Sequence, residues 1–257
     1  MELLKNKIVF ISGATSGIGK ACATGFARAG SNLILCARSI GTLNTFAEEL
    51  RKEFGVKVYD FKLDVRDREA VESSIARLPV EWKNIDILIN NAGLAKGMNK
   101  FYEDNPDNWD VVIDTNVKGL LYVTRAIVPL MVARNSGHII NMGSIAGHEA
   151  YPKGSVYCAS KHAVDAITKS LRMDVVDHNI RVSTIDPGMV ETNFSVIRFD
   201  GDKEKAKNVY KGLDPLTAED IADTIIFMAS RPPHVNIAEV VIYPTAQASA
   251  TIAHRNS

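Results

Sequence analysis

The stretch that decides the fold lies near the N-terminus and reads Ile8-Val9-Phe10-Ile11-Ser12-Gly13-Ala14-Thr15-Ser16-Gly17-Ile18-Gly19. Its first four residues are apolar and β-branched or aromatic, which is typical of a buried strand. Three glycines follow, and an apolar pattern with helical period starts at Ile18. A strand that passes through a glycine-rich turn directly into a helix indicates the first unit of an α/β fold.

The same alternation of strand and helix patterns continues along the chain. After residues 8–11, strand-like runs lie at 33–36, 57–63, 85–89, 138–142, 180–185 and 239–242, and helical patterns lie at 18–29, 42–54, 66–78, 108–134, 155–178 and 217–230. Seven strands that alternate with helices predict an α/β fold, a doubly wound, Rossmann-type three-layer sandwich with a seven-stranded parallel sheet. No Pro/Gly/Ser linker divides the sequence, so we expect a single domain over residues 1–257. The least regular segment, residues 188–214, is either a mobile flap over a site or a plain surface loop.

The composition excludes several function classes. The 257 residues include 30 Lys+Arg and 30 Asp+Glu, a net charge of zero with no basic block, which argues against nucleic-acid and membrane-surface partners. No stretch approaches 18 apolar residues, so we expect no membrane span. The three scattered cysteines, Cys22, Cys36 and Cys158, form no C-x-x-C pair. They indicate neither a disulfide framework nor a metal site, and a reducing, cytoplasmic location is expected.

The glycine turn is typical of a dinucleotide site. Glycine lets the backbone approach a pyrophosphate, whose charge then faces the free N–H groups at the start of the helix. The spacing G-x-x-x-G-x-G differs from the usual G-x-G-x-x-G, so a tight turn without a ligand is the alternative. The candidate cofactor-binding residues in this turn are Gly13, Thr15, Ser16, Gly17, Ile18 and Gly19.

The end of the second strand indicates which dinucleotide is bound. An acidic residue there would accept hydrogen bonds from the ribose hydroxyls of NAD, but the sequence has Arg38 and Ser39. A guanidinium forms a charge-assisted fork with a 2′-phosphate, so NADP is favoured unless Arg38 is only a solvated strand-end residue. Asp64, after the third strand, either accepts from the adenine amino group or caps the helix that follows.

Four residues predict the chemistry. Tyr157 and Lys161 are four residues apart in a helical pattern and therefore share a face, Ser144 follows the preceding strand, and Asn116 lies in the helix before that strand. A tyrosine is a poor base near neutral pH, so we expect the Lys161 ammonium to lower the pKa of Tyr157. Ser144 would steady a substrate oxygen, and Asn116 could hold a water that links Lys161 to solvent. Each residue taken alone is equally well explained by packing, solvation or turn formation.

With these pieces the chain resembles the short-chain dehydrogenase/reductase family over residues 7–242. The resemblance implies a catalytic tetrad of Asn116, Ser144, Tyr157 and Lys161 and usually a homotetramer. Ser12 stands where the family usually has threonine, and the hydroxyl is kept. The resemblance adds further residues to the cofactor site, namely Val65, Asn91, Ala92, Gly93, Pro187, Gly188, Val190 and Thr192, and it places Tyr157 and Lys161 there as well.

Within the family, residues 78–88, 91–95, 114–120 and 196–202 resemble the NADP-dependent 3-hydroxy acid dehydrogenases, which also act on serine or L-allo-threonine. The resemblance implies reversible oxidation of a small 3-hydroxy acid to a 3-oxo acid. Arg198 is the candidate for holding the substrate carboxylate beside Ser144 and Tyr157, unless it pairs with Asp200 or Asp202. The alternatives are a short-chain reductase of a ketone or 3-oxoacyl thioester, and a non-catalytic NADP-sensing protein.

Overall fold

The computed structural model describes residues 2–256, which form a seven-stranded sheet covered by helices on both faces. All strand pairs are parallel, and the order across the sheet is β3-β2-β1-β4-β5-β6-β7, so the predicted doubly wound fold is confirmed. The strands are β1 (Ile8–Ser12), β2 (Asn32–Ala37), β3 (Val58–Lys62), β4 (Ile87–Asn90), β5 (Gly137–Met142), β6 (Ile180–Pro187) and β7 (Glu239–Ile242). The α-helices are α1 (Gly17–Arg28), α2 (Ile40–Phe54), α3 (Arg68–Ala76), α4 (Pro106–Ile113), α5 (Leu120–Arg134), α6 (Ser155–Asp174), α7 (Asn193–Arg198), α8 (Lys203–Asn208) and α9 (Ala218–Ala229).

The central strands are buried on both faces, which explains their continuous apolar sequences. Val9 and Ile11 of β1 point to the face covered by α1, α2 and α9, whereas Phe10 points to the opposite face. All three are fully buried. This two-sided burial fixes the first strand and places the turn after it at the carboxyl edge of the sheet.

The helix predicted over residues 108–134 is longer and less regular than expected. It runs from Pro106 to Arg134, and a π-helical segment (Asp114–Gly119) separates α4 from α5. By length and composition this 29-residue stretch could cross a membrane, a property that counting consecutive apolar residues did not reveal. Val123, Ile127 and Met131 on α5 are buried against the sheet, and the core helix of a globular fold passes the same test.

Residues 188–214, called the flap below, are more regular than expected because they contain α7 and α8. The C-terminal tail folds back onto the end of this segment. Arg255 donates to the carbonyl oxygen of Lys211 over 2.7 Å, and the Asn256 amide donates to that of Gly212 over 2.8 Å. The tail and the flap therefore pack together beside the carboxyl edge of the sheet.

Candidate active site

A cavity of about 420 Å³ opens at the carboxyl ends of the central strands. Ligands of doubly wound folds bind in this crevice. Among the predicted site residues, Gly19 and Asn116 do not line it. The cavity is lined by Gly13, Thr15, Ser16, Gly17, Ile18, Arg38, Ser39, Asp64, Val65, Asn91, Ala92, Gly93, Ser144, Tyr157, Lys161, Pro187, Gly188, Val190, Thr192 and Arg198.

The glycine turn forms one end of the cavity. Gly13 and Gly17 adopt positive φ angles of 69° and 51°, which favour glycine. Ser16 is the N-cap of α1, its side chain makes no capping hydrogen bond, and the first turn of the helix lines the cavity at Gly17 and Ile18, where the backbone N–H groups have no side-chain acceptor. This donor set and the side-chain-free backbone fit the pyrophosphate of a dinucleotide.

Gly19 serves packing, because it brings α1 close to the loop after β4. A Cβ at Gly19 would lie 2.4 Å from Asn91 Nδ2 and 2.4 Å from the Gly13 carbonyl oxygen. The Asn91 amide group also donates to the carbonyl oxygens of Ser12 (3.0 Å) and Gly13 (3.1 Å). The hydroxyl of Ser12 accepts from the backbone amide of Asn91 over 3.1 Å and from that of Ala92 over 3.0 Å, which explains why a serine suffices there.

We expect Gly19→Ala to lower the free energy of unfolding by about 1–3 kcal/mol, because the added methyl must displace backbone and an anchored amide. Thermal unfolding followed by circular dichroism would measure this loss. Gly41→Ala is the matched control, since a Cβ at Gly41 meets nothing within 4 Å. Equal melting temperatures for the two variants would contradict the packing role of Gly19.

The adenosine end of the cavity carries Arg38 and Asp64, and Arg38 is exposed. Asp64 forms an ion pair of 2.6 Å with Arg66, whose hydrogen bonds hold the pKa of Asp64 below its ordinary value with a further contribution from Arg38. Asp64 does not cap the next helix; Asp67 does, accepting from the Ala70 amide over 2.9 Å. The capping alternative for Asp64 was therefore wrong, because α3 starts at Arg68, two residues later than predicted.

Tyr157 and Lys161 lie one turn apart on α6, and both line the cavity. The Lys161 ammonium donates to the Met142 carbonyl oxygen over 2.7 Å and lies 5.9 Å from the centroid of the Tyr157 ring. The Ser144 hydroxyl accepts from the Ala146 amide over 3.1 Å. The structure thus brings together three of the four residues predicted for catalysis at the cavity wall.

The electrostatics of this group differ from the sequence prediction. Burial raises the pKa of Tyr157, and a hydrogen bond with Ser144 and the charge of Arg198 only partly oppose the rise. Burial also lowers the pKa of Lys161 to about 8, against the influence of Asp186. The pKa of Tyr157 is therefore raised overall, whereas the sequence predicted that it would be lowered, because burial of the phenol outweighs the charges beside it and the Lys161 ammonium donates to a backbone carbonyl oxygen.

Asn116 lies behind the cavity wall, in the π-helical segment that interrupts the long helix. Its Oδ1 accepts from the Leu94 amide over 2.9 Å, and its Nδ2 donates to the Leu94 carbonyl oxygen over 2.8 Å and to Ser160 Oγ over 3.0 Å. A Cβ at Gly93 would lie 3.3 Å from Asn116 Oδ1 and 3.8 Å from Lys161 Nζ. Asn116 therefore braces the loop after β4 against α6.

Arg198, on α7 of the flap, is half-buried at the cavity wall. Its guanidinium donates to the Tyr151 hydroxyl over 3.3 Å, and its central carbon lies 5.7 Å from the centroid of the Tyr157 ring. The suggested ion-pair partners are engaged elsewhere: Asp200 pairs with Lys96, and Asp202 pairs with Lys205 over 3.1 Å. The guanidinium therefore faces the group containing Tyr157.

Some lining residues escaped the sequence prediction. Tyr151 precedes α6, and its place between Ser144 and Tyr157 at the carboxyl edge of the sheet could have indicated it. Phe194 packs edge-on against the Tyr157 ring, with 5.6 Å between centroids. Gln247 and Ala250 reach the cavity from the C-terminal tail, and no local pattern marks them.

A glycine-rich strand-to-helix turn and a Tyr–Lys pair on one wall of a crevice define a nucleotide-dependent oxidoreductase. The short chain dehydrogenase model matches residues 7–202, and the chain belongs to that family.

The NADP-dependent 3-hydroxy acid dehydrogenase of Schizosaccharomyces pombe is 46% identical over 256 residues, 99% of both chains. Sulfoacetaldehyde reductase 2 of Chromohalobacter salexigens is 42% identical, covering 96% of this chain and 97% of the relative. The solved closed form of serine dehydrogenase complexed with NADP+ has a TM-score of 0.90 at 42% identity, covering 97% of this chain and all of that one.

Proposed function

We propose that the protein catalyses reversible hydride transfer between NADP and the 3-hydroxyl carbon of a small 3-hydroxy acid. The main support is that Tyr157, Lys161 and Arg198 line one cavity. Tyr157 with Lys161 can transfer a proton, and Arg198 can bind the carboxylate of the substrate. The named relatives, a 3-hydroxy acid dehydrogenase and a serine dehydrogenase with NADP+, support the substrate class and the cofactor. We also propose that the protein is a homotetramer, as the family resemblance implies.

Different residues of the cavity would bind different parts of the dinucleotide. When bound, NADP supplies or accepts the hydride through its nicotinamide ring. The turn from Gly13 to Ile18 would hold the pyrophosphate, and Arg38 and Ser39 would hold the 2′-phosphate. The adenine would lie at Asp64 and Val65. The nicotinamide half would contact Asn91, Ala92, Gly93, Pro187, Gly188, Val190 and Thr192.

In the oxidation direction the substrate loses one proton and one hydride. The hydroxyl proton would pass to the deprotonated oxygen of Tyr157 and the hydride would be taken up by bound NADP, so that the C–O single bond becomes a carbonyl and the products are a 3-oxo acid and NADPH. Ser144 hydrogen-bonds the substrate oxygen while its charge changes. The ammonium of Lys161 favours the tyrosinate that must form, which matters because burial disfavours that charge.

The proposal is tested by initial rates of reduced-cofactor formation, NADPH from NADP and NADH from NAD. The substrates are serine, L-allo-threonine, 3-hydroxybutyrate and 3-hydroxyisobutyrate. We expect turnover with NADP on at least one of them. Ketones and 3-oxoacyl thioesters are assayed in the reductive direction, by NADPH consumption. The reductase of these compounds is supported instead if only they react, and the NADP-sensing protein if NADPH binds without turnover of any substrate. The sulfoacetaldehyde reductase relative favours adding sulfoacetaldehyde as a further small anion, assayed in the reductive direction by NADPH consumption.

For Arg198→Ala we expect the KM for 3-hydroxy acids to rise about 10–100-fold, because a charge-assisted hydrogen bond to the carboxylate is lost. kcat should change far less, since the guanidinium holds a part of the substrate that does not react. Initial rates over a range of substrate concentrations give both constants. An uncharged secondary alcohol is the matched control substrate, and its KM should stay the same. An unchanged KM for the acids would rule out the role of Arg198.

A further inference from the structure

Asp186, the penultimate residue of β6, fixes the backbone that carries Ser144. Its Oδ1 accepts from the Ser144 amide over 3.1 Å, and a Cβ at Gly143 would lie only 1.8 Å from the same oxygen. The residue is 2% exposed. The carboxylate therefore packs directly against the two residues that follow Met142, whose carbonyl oxygen accepts from Lys161.

The other oxygen of Asp186 faces a small group of charged side chains. Oδ2 accepts no hydrogen bond within residues 2–256 and lies 3.6 Å from His148 Nε2. His148 Nε2 is also 3.6 Å from Glu239 Oε1 on β7, and the Lys169 ammonium on α6 is 3.9 Å from Glu239 Oε2. His148, when protonated, would thus lie between two carboxylates.

Lys161 is the buried cation that donates to this segment, through the Met142 carbonyl oxygen. It is 6% exposed, and its ammonium has a neutral acceptor, the Met142 carbonyl, rather than a carboxylate in direct contact. The titratable groups that the structure places near it are Tyr157 on the same helix, whose ring centroid lies 5.9 Å from the ammonium, and Asp186 on β6. Asp186 is the group that acts to keep the pKa of Lys161 up, while burial acts to lower it.

We propose that Asp186 is a positioning residue: its Oδ1 holds the backbone of Gly143 and Ser144 in place, and its carboxylate is the buried negative charge packed against the segment to which the Lys161 ammonium donates. The inference rests on the proposed function in giving Ser144 and Lys161 their roles. Burial raises the pKa of Asp186, and the neighbouring Thr184 and His148 oppose the rise. The carboxylate thus depends on its neighbours for the charge that Lys161 requires.

Two substitutions separate the two parts of this role. Asp186→Asn removes the charge but keeps an oxygen for the Ser144 amide, whereas Asp186→Ala removes both. In the protein without nucleotide, we expect the titration midpoint of Lys161 to fall by about one pH unit in both variants. The midpoint is read from the 13Cε resonance of Lys161, assigned with Lys161→Arg. We expect kcat to be about tenfold lower in the Ala variant than in the Asn variant, because only Ala leaves the amide without its acceptor.

Asp165→Asn is the matched control, because Asp165 pairs with Lys169 on the surface of α6 over 2.8 Å and should leave the Lys161 midpoint unchanged. His148, Asp186 and Glu239 have side chains of metal-ligand type within 4.8 Å of one another, so all samples contain a chelator. If Lys161 in Asp186→Asn titrates at the wild-type midpoint, the carboxylate does not act on Lys161 through its charge. If the Asn and Ala variants have equal kcat values, the contact of Asp186 with the Ser144 amide does not contribute to catalysis. If the wild-type protein does not turn over any 3-hydroxy acid, the proposed function is refuted. The Lys161 titration would still show whether the Asp186 charge acts on Lys161.

Discussion

Tyr157→Phe is expected to lower kcat by about 10³-fold while NADPH binding stays within about twofold of wild type. The variant keeps the ring that packs against Phe194, with 5.6 Å between centroids, but removes the hydroxyl that would exchange a proton with the substrate. General acid–base catalysis by a positioned group contributes about 10²–10⁴-fold, so the loss should fall in kcat. Stopped-flow and steady-state rates give kcat, and quenching or enhancement of NADPH fluorescence gives the binding constant.

The matched control is Tyr151→Phe, which removes a second hydroxyl from the same cavity. The Tyr151 hydroxyl accepts from Arg198 over 3.3 Å, and the proposed mechanism gives it no proton to transfer, so its loss should cost less than about tenfold. A Tyr157→Phe protein with wild-type turnover would refute the catalytic assignment. Loss of NADPH binding in that variant would instead show that the hydroxyl serves the cofactor.

The fold could be predicted from the sequence because its determinants are local. Val9, Phe10 and Ile11 are apolar in succession since both faces of β1 are covered, and Gly13 and Gly17 mark a turn with positive φ. The relation between Tyr157 and Lys161 was equally readable, because it depends only on helical spacing. Apolar runs and helical spacings therefore predict which side chains share a face of a strand or helix.

Features that depend on distant contacts could not be read in this way. The Gln247 side chain accepts from the Met189 amide over 2.8 Å, a contact between residues 58 positions apart that leaves no local pattern. The direction of the Tyr157 pKa shift likewise depends on how deeply the tertiary structure buries the phenol. The start of a helix can be predicted only in part from the sequence. Asp64 and Asp67 are both suitable caps for α3, and only the geometry after β3 selects Asp67.

Arg38→Asp is expected to reverse the cofactor preference from NADP to NAD. The substitution removes a charge-assisted contact to the 2′-phosphate and places a carboxylate against it, so kcat/KM for NADP should fall about 10²–10³-fold. The new carboxylate can accept from the ribose hydroxyls of NAD, for which kcat/KM should rise about tenfold. Initial rates with each cofactor at a fixed, saturating hydroxy acid concentration measure both changes.

The structure offers a matched control for this reversal in Arg66→Ala. Arg66 is a neighbouring cation that is already paired with Asp64 over 2.6 Å, and it does not line the cavity. Its loss removes one positive charge from the same region, but solvent and salt screen that charge, so the ratio of NADP to NAD activity should change less than about fivefold. If Arg66→Ala and Arg38→Asp shift the ratio equally, the preference comes from the general positive potential of this edge and not from a contact made by Arg38. If the wild-type protein already prefers NAD, the absence of an acid after β2 does not determine the choice, and the role of Arg38 is refuted.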